Sequence, residues 1–205
     1  MGGPPGLATE AAGGPGRALP DHSELLDALG RLAALERLPR TGWCQVDDPC
    51  PESIADHVLG TSWIALALAP RVVPALDVDR VTVLALVHDA PEALLGDLPR
   101  SATELLPAGA KQAAEARAAE RVLGPLSEVA LARFREGQAG ETREARFVKL
   151  CDKLHLGWRL LEVRRRASGD LTPFVEGIAA LDASEFAPLE SLRTELLGRL
   201  ERGFA

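Results

Sequence analysis

The sequence predicts an all-α protein, and three observations support this prediction. Apolar residues recur at spacings of three and four over most of the chain, alternation of period two is nearly absent, and no internal repeat is recognisable. With 205 residues, of which 46% are hydrophobic, the chain is long enough to bury one core of ordinary size. We therefore expect one compact domain of about six to eight helices over residues 21–205.

The first 20 residues differ in composition from the rest of the chain. They are rich in Gly, Pro and Ala and show no apolar period, so they cannot offset the entropy that is lost on ordering. We predict a disordered tail over residues 1–20. At Asp21 the character changes, because Asp21, Ser23 and Glu24 supply cap residues and early acids, and leucines follow at helical spacing. The first helix is expected from this point.

The later elements are predicted from apolar periodicity and from the positions of Pro and Gly. Pro and Gly interrupt residues 37–51, which indicates a long loop, and loops of this length are often functional. An apolar core helix should end before Pro70, a third helix should begin near Asp79 as its cap, and Pro91 must kink or interrupt the run that follows. Further helices are expected over residues 110–123, 126–136, 141–167 and 174–203, after a turn at residues 96–99.

Composition excludes several classes of function. The net charge of −7 argues against a duplex nucleic-acid partner, which would call for a basic face. No uncharged apolar run approaches the ~18 residues of a membrane span, and the first residues lack the basic and apolar regions of a secretory signal. The three cysteines have neither zinc nor redox spacing and are interpreted as reduced thiols. We expect a cytoplasmic protein without a membrane partner, and a small phosphorylated ligand stays compatible.

Four polar residues in apolar surroundings are candidate metal ligands. The pair His88-Asp89 ends an apolar run, where two polar groups are costly to bury without partners. On a helix Glu92 would lie on the same face as His88, and this face partly overlaps the face of Asp89. His57 and Asp152 are likewise isolated polar residues on predicted apolar helices. Because two imidazoles and two carboxylates suit a divalent ion and leave positions open for water and a phosphate oxygen, we predict a metal site at His57, His88, Asp89 and Asp152.

Each of these residues also has an ordinary structural explanation. A lone His in an apolar helix is more often a hydrogen-bonded core residue, and an Asp beside a Lys, as in Asp152-Lys153, is usually a surface charge. Only the combination of the residues favours the metal site. His155 lies three residues after Asp152 and is interpreted as a partly exposed helix residue. The alternative is that His155 orients one of the metal ligands.

The flanking residues form motifs that carry a family resemblance. The motifs are Leu-Pro-Arg-Thr-Gly-Trp at 38–43, Pro-Glu-Ser-Ile-Ala-Asp-His at 51–57, Leu-Val-His-Asp-Ala-Pro-Glu at 86–92, Gly-Asp-Leu at 96–98 and Phe-Val-Lys-Leu-Cys-Asp-Lys at 147–153. Together they resemble the HD-domain superfamily of metal-dependent phosphohydrolases, and within it the 5′-deoxynucleotidase branch, which hydrolyses deoxyribonucleoside 5′-monophosphates. The likeness covers roughly residues 25–165.

The resemblance implies roles for further residues. A divalent ion such as Co²⁺ or Mn²⁺ would be held by the four predicted ligands, and Glu92 would position or deprotonate the attacking water. Asp97 would bind the 3′-hydroxyl or act as the acid. Arg37 matches the arginine that binds the phosphate, and Arg40 is a second candidate. Leu38 stands where some relatives carry a Trp that helps to exclude ribose, so selectivity for deoxyribose is not implied.

Other functions stay open beside this one. A two-iron HD centre would need additional histidines between Asp89 and Asp152, and the sequence has none there. A phosphohydrolase for a modified nucleotide or another small phosphate ester, and a module that senses a nucleotide without turnover, are both compatible with the same residues. Members of the branch are commonly dimers, and the amphipathic residues 174–203 suit packing on the core or on a partner, so a homodimer is left open.

Overall fold

A computed structural model describes residues 22–202, and the predicted all-α class is confirmed. Within this range no β-strand forms, and only an isolated bridge joins Pro39 and Ser53. The tail predicted over residues 1–20 lies outside the described residues. The helices are α1 (His22–Leu32), α2 (Thr41–Cys44), α3 (Ile54–Leu68), α4 (Val78–Val87), α5 (Glu92–Leu95), α6 (Arg100–Thr103), α7 (Ala110–Val122), α8 (Glu128–Ala139), α9 (Arg143–Val163), α10 (Thr172–Ala179) and α11 (Ala187–Glu201).

Helices α3, α4 and α9 pack on one another and form the centre of the core. Ser53 begins α3 with a capping box, in which its side chain accepts a hydrogen bond from the Asp56 N–H and the Asp56 carboxylate accepts one from the Ser53 N–H. Thr142 caps α9 by accepting a hydrogen bond from the Ala145 N–H. Both caps fix the helix starts, and so they fix which residues of α3 and α9 face the core.

Two predicted helix boundaries are wrong. Helix α4 is capped by Asp77 and not by Asp79, because the Asp77 side chain accepts the hydrogen bond from the Arg80 N–H. Residues 174–203, predicted as one helix, belong to α10 and α11, which are separated by a turn that buries Phe186 edge-on against Phe147. Both helices pack on α9, so this segment covers the core of its own chain.

Other predicted features agree with the structure. Eight of the helices in residues 22–202 have eight or more residues, within the expected number, and the rest are single turns. The interruption expected at Pro91 is present, since α4 ends at Val87 and α5 begins at Glu92. The predicted loop over residues 37–51 contains the single turn α2. No helix in the described part of the chain is both long and apolar enough to cross a membrane.

Candidate functional site

The four predicted metal ligands come from the three central helices. His57 lies in the first turn of α3, His88 and Asp89 directly follow α4, and Asp152 lies near the middle of α9. His57 is fully buried, and the side chains of the other three are 15–17% exposed. The structure therefore brings these four residues close to one another.

The distances between the polar atoms fit a shared ion. His57 Nε2 lies 3.3 Å from His88 Nε2, 3.0 Å from Asp152 Oδ1 and 3.5 Å from Asp89 Oδ2. His88 Nε2 lies 3.2 Å from Asp89 Oδ2. Two ligand atoms that are each about 2.1 Å from one ion lie about 3.0–3.4 Å apart, for angles between octahedral and tetrahedral. His57, His88 and Asp89 thus have the chemistry and the spacing of a divalent-metal site, and Asp152 lies next to it through its contact with His57.

The hydrogen bonds of His88 leave its Nε2 available as a ligand. Its Nδ1 lies 2.7 Å from the carbonyl oxygen of Ala85, and a carbonyl can only accept a hydrogen bond. Nδ1 therefore carries the proton, and in the neutral ring Nε2 presents its lone pair to the other ligand atoms. A backbone carbonyl that orients the ring in this way is a frequent partner of a metal-binding histidine.

The electrostatics of the cluster favour a positive charge. Burial opposes protonation of His88, but Asp89 and Asp152 outweigh it and raise the pKa of His88 to about 9. Burial likewise works against the charged form of Asp89, yet His88 and His57 hold the pKa of Asp89 below its usual range. The pKa of Asp152 is also lowered, because burial is outweighed by Lys153 and the histidines. The carboxylates that stabilise an imidazolium here would stabilise a metal cation in the same way.

Glu92 lies beside the ligands as a buried carboxyl group. It is 7% exposed, and its Oε2 has no hydrogen-bond partner among the described residues. Burial, and after it the negative charges of Asp89 and Asp97, raise the pKa of Glu92 to about 9. A buried acid with a strongly raised pKa and an unpartnered oxygen is typical of a proton-transfer group rather than of a structural one.

Arg40 and Asp97 form a second group of charges next to the ligands. The Arg40 guanidinium lies 3.4 Å from Asp89 Oδ2 and 3.9 Å from Asp97 Oδ1. Asp97 Oδ2 accepts a hydrogen bond from the Thr41 N–H at 2.6 Å, and the Thr41 hydroxyl donates to the Asp97 carbonyl at 2.8 Å. Gly96, at φ 71°, allows the turn that brings Asp97 to this place. These bonds hold the start of α2, and with it Arg40, against the site.

The two predicted phosphate-binding arginines differ in position. Arg40 contacts a metal ligand and its side chain is 13% exposed. Arg37 is exposed, and its side chain makes no hydrogen bond or ion pair with any described residue. Only Arg40 is therefore brought into contact with the other site residues, and the phosphate-binding role of Arg37 stays a prediction.

Lys153 belongs to the site, although Asp152-Lys153 resembled an ordinary surface pair in the sequence. Its Nζ lies 2.9 Å from Asp152 Oδ2, and the charge of Asp152 raises the pKa of Lys153. This contact occupies one oxygen of Asp152 and leaves Oδ1 facing His57. Lys153 is half-exposed, so it is also a second cation that an anionic substrate could reach. Its place directly after a candidate ligand was the signal available in the sequence.

His155 is buried, so the prediction of a partly exposed residue is wrong. It is 1% exposed, and its Nδ1 lies 2.8 Å from His57 Nδ1. Burial, His57 and Arg159 lower the pKa of His155 to about 3, which keeps the ring neutral. The spacing of three residues from Asp152 placed His155 on the right face of α9. The missing information was that α3 covers this face.

A cavity adjoins the ligands on the side of α8. It has a volume of about 170 Å³ and lies beside His88 and Asp152, between α4, α8 and α9. Its walls include Phe134, Gln138 and Lys149. An aromatic ring, an amide and a cation offer an organic ligand both apolar and polar contacts next to the candidate metal site.

Comparison with known proteins defines the class and then the branch. The HD domain family matches residues 32–184, so the chain belongs to the HD-domain family. Within it, the chain falls in the branch of proteins named 5′-deoxynucleotidases, as the motifs indicated. It is 30% identical to 5′-deoxynucleotidase hdd1 of Schizosaccharomyces pombe, over 73% of this chain and 76% of that relative. It is also 30% identical to human 5′-deoxynucleotidase HDDC2, over 64% of each chain, so it spans just under two thirds of that protein.

The fold is shared with solved structures. A crystal structure of a Pyrococcus horikoshii protein superimposes with a TM-score of 0.72 and 30% identity, and the match covers 85% of this chain and 99% of that one. The family and the cluster of His and Asp donors together indicate a divalent metal ion as the cofactor.

Proposed function

We propose that this chain is a metal-dependent phosphomonoesterase that hydrolyses deoxynucleoside 5′-monophosphates to the nucleoside and phosphate. One observation carries the proposal: donor atoms of His57, His88 and Asp89 lie 3.2–3.5 Å apart, with Asp152 Oδ1 at 3.0 Å from His57 Nε2, beside a buried, unpartnered carboxyl group and an arginine. The names of the relatives identify the substrate class that suits such a site.

The metal ligands proposed are His57, His88, Asp89 and Asp152, and Co²⁺ and Mn²⁺ are the candidate ions. Such an ion supplies Lewis-acid charge to a phosphoryl group and lowers the pKa of a water molecule. The protein's own contribution to charge neutralisation is Arg40, whose planar guanidinium can bind two phosphate oxygens. Its ion pair with Asp89 supports this role, because it holds the guanidinium next to the place where the phosphate would bind.

Glu92 is proposed to accept the proton of the attacking water. In this reaction a bond forms between the water oxygen and phosphorus, the bond from phosphorus to O5′ breaks, and O5′ must gain a proton. The unpartnered Oε2 of Glu92, close to the metal ligands, supports a group that takes up a proton. Asp97 is proposed to bind the sugar hydroxyl or to protonate O5′, and its Oδ1, which makes no hydrogen bond with described residues, is the atom suited to this.

The nucleoside part of the substrate is proposed to occupy the cavity beside His88 and Asp152. Phe134 can contact a base through its ring, while Gln138 and Lys149 can donate hydrogen bonds to base or sugar oxygens. The cavity is also lined by Glu115 and Arg133, which can contact polar atoms of a base.

Phosphate release by the purified full chain tests this proposal. The substrates would be the deoxynucleoside 5′-monophosphates, the matching ribonucleotides and p-nitrophenyl phosphate, each with Mn²⁺ or Co²⁺ and with excess chelator. We expect metal-dependent release from the deoxynucleotides and none with chelator. Binding of all nucleotides without release would overturn the enzyme assignment in favour of a sensing module. Release only from other esters or from modified nucleotides would redirect it to a specialised phosphohydrolase.

Three further features are part of the proposal. We propose one catalytic domain over residues 21–205, a cytoplasmic location, and a homodimer. Leu59, Trp63 and Leu66 support the dimer, because they share the outer face of α3 and are 42–57% exposed.

A further inference from the structure

We propose that His155 selects the metal-binding tautomer of His57, and that Glu52 in turn fixes the proton of His155. This inference rests on the metal centre of the proposed function, but it concerns residues beyond the ligands. His155 and Glu52 are both buried, at 1% and 4% exposure. We assign them as positioning residues that act through His57.

The contact between the two rings requires one shared proton. His57 Nδ1 and His155 Nδ1 lie 2.8 Å apart, which is a hydrogen-bond distance between two nitrogens. A neutral imidazole has one N–H donor and one nitrogen that accepts, so one of the two Nδ1 atoms carries the proton and the other presents a lone pair. Two arrangements satisfy this contact, and they differ in which ring donates.

The surroundings of His57 select one of these arrangements. Its Nε2 lies 3.0 Å from Asp152 Oδ1 and 3.3 Å from His88 Nε2, so it is the atom that faces the metal site. A nitrogen can bind a cation only through its lone pair, which places the His57 proton on Nδ1. His57 Nδ1–H then donates to His155 Nδ1.

The surroundings of His155 select the same arrangement independently. With Nδ1 as the acceptor, neutral His155 carries its proton on Nε2, and this atom lies 3.9 Å from Glu52 Oε2. Glu52 Oε1 accepts a hydrogen bond from the Trp43 indole N–H at 2.9 Å, while Oε2 has an ion-pair contact with Arg159 Nε at 3.0 Å and accepts no hydrogen bond. The carboxylate of Glu52 favours the tautomer of His155 that carries a proton on Nε2, because a lone pair on Nε2 would repel the carboxylate.

The fold provides space for this contact at one position. A Cβ atom at residue 60 would overlap the His155 ring, so the ring reaches His57 only because Gly60 has no side chain. The ring is closed off on another side by Trp158, at 5.4 Å between ring centroids. Neighbouring helices thus confine His155 to a conformation in which its Nδ1 meets His57.

Two substitutions at position 155 separate hydrogen bonding from packing. In His155→Gln the side-chain amide oxygen can accept the hydrogen bond of His57 Nδ1–H, whereas His155→Leu fills similar space without an acceptor. The measurement is the Co²⁺ dissociation constant of the full chain, by competition with a chelator, together with the visible spectrum of the Co²⁺ form. His22→Leu is the matched control, because His22 is exposed and lies at the start of α1.

We expect His155→Leu to weaken Co²⁺ binding about 10–100-fold and His155→Gln to weaken it less than about 5-fold. His22→Leu should bind as the unaltered chain does. A role in packing alone predicts the opposite order, because a buried amide costs more than a buried Leu. If His155→Leu binds Co²⁺ as tightly as the unaltered chain, or more tightly than His155→Gln, the proposal is wrong.

Glu52→Gln provides a second test that leaves both rings in place. The amide keeps an oxygen for the Trp43 N–H but presents its NH₂ group toward His155, which disfavours the Nε2 proton. We expect Co²⁺ binding to weaken about 3–10-fold, and unchanged binding would remove Glu52 from the proposal. Metal affinity is measured without substrate, so a failure to hydrolyse nucleotides would overturn the proposed function and leave this inference standing.

Discussion

The metal ligands and the substrate-facing residues of the site lie on different kinds of structure. His57 and Asp152 lie on α3 and α9, and His88-Asp89 directly follow α4; these helices are 10–21 residues long and pack together in the core. Arg40 and Glu92 lie at the single-turn helices α2 and α5, and Asp97 follows the turn at Gly96. Core packing positions the first group, while a few hydrogen bonds between loops position the second.

This difference separates metal binding from substrate choice. A change in a ligand must be accommodated by three packed helices, whereas the segment around Arg40 is held by its bonds to Asp89 and Asp97 and by the bonds of Thr41. Loops on a rigid scaffold can change without loss of the core, and related sites commonly vary their specificity in this way. We therefore expect substitutions in the two groups to have separable effects on metal content and on turnover.

The largest expected effect comes from Asp152→Ala compared with Glu92→Gln. Asp152→Ala removes a donor atom and should lower both bound metal and turnover. Glu92→Gln should keep the metal and lower kcat by about 10²–10⁴-fold, because only the proton acceptor is lost. Metal content by elemental analysis and initial rates on one deoxynucleotide would check both. A Glu92→Gln protein with full activity would remove Glu92 as the base, and one without metal would show that the two groups of residues are not separable.

The same difference explains what could be predicted from the sequence. His57, His88, Asp89 and Asp152 are polar residues on apolar helices, and helical phase is readable from local spacing. Arg40 could not be preferred over Arg37, because its placement depends on bonds between Thr41 and Asp97, which are 56 residues apart. The conformation of a loop cannot be read from a repeating spacing of residues, as the faces of a helix can.

His155 shows a second limit, set by packing between helices. Its position three residues after Asp152 correctly indicated a shared face of α9. Its burial depends on Gly60 of α3, 95 residues earlier in the chain, where the missing side chain lets the ring enter. A contact of this kind leaves no local pattern in the sequence.

A smaller effect is expected at the arginines. Arg40→Ala should lower kcat/KM by about 10²-fold, because a charged donor near the phosphate is lost. Arg37→Ala is the comparison, because Arg37 is the other predicted phosphate-binding arginine and its side chain contacts no described residue. A loss within about 2-fold would leave the phosphate contact with Arg40. The measurement is kcat and KM for a deoxynucleoside monophosphate at saturating metal. A larger loss in Arg37→Ala than in Arg40→Ala would return the phosphate contact to Arg37.

The smallest expected effect concerns the stability of the metal-free protein. One metal ligand, His88, and one substrate-facing residue, Glu92, contribute to it. The pKa of Glu92 rises from its ordinary value of 4.5 to about 9 on folding, and that of His88 rises from 6.5 to about 9. Between the lower and the higher value of each pair the folded state binds more protons than the unfolded state, so stability falls as pH rises. Burial lowers the pKa of His155 from 6.5 to about 3, and this group therefore opposes the effect of Glu92 up to pH 6.5. The metal-free chain should thus lose stability from about pH 6.5 to pH 9.

Glu92→Gln separates the two contributions, because it removes the buried carboxyl group and leaves His88. At pH 8 the metal-free variant should be more stable than the unaltered chain. Each kcal/mol of added stability should raise Tm by about 2–4 °C. The difference in Tm should become smaller toward pH 5. The fall in stability above pH 6.5 that remains in the variant belongs to His88 and should disappear when metal is added, since a bound cation excludes the ring proton. Thermal unfolding between pH 5 and 9, with chelator or with Mn²⁺, measures the contributions of Glu92 and of His88 to stability. A flat profile for the metal-free unaltered chain would contradict the raised pKa values of both residues.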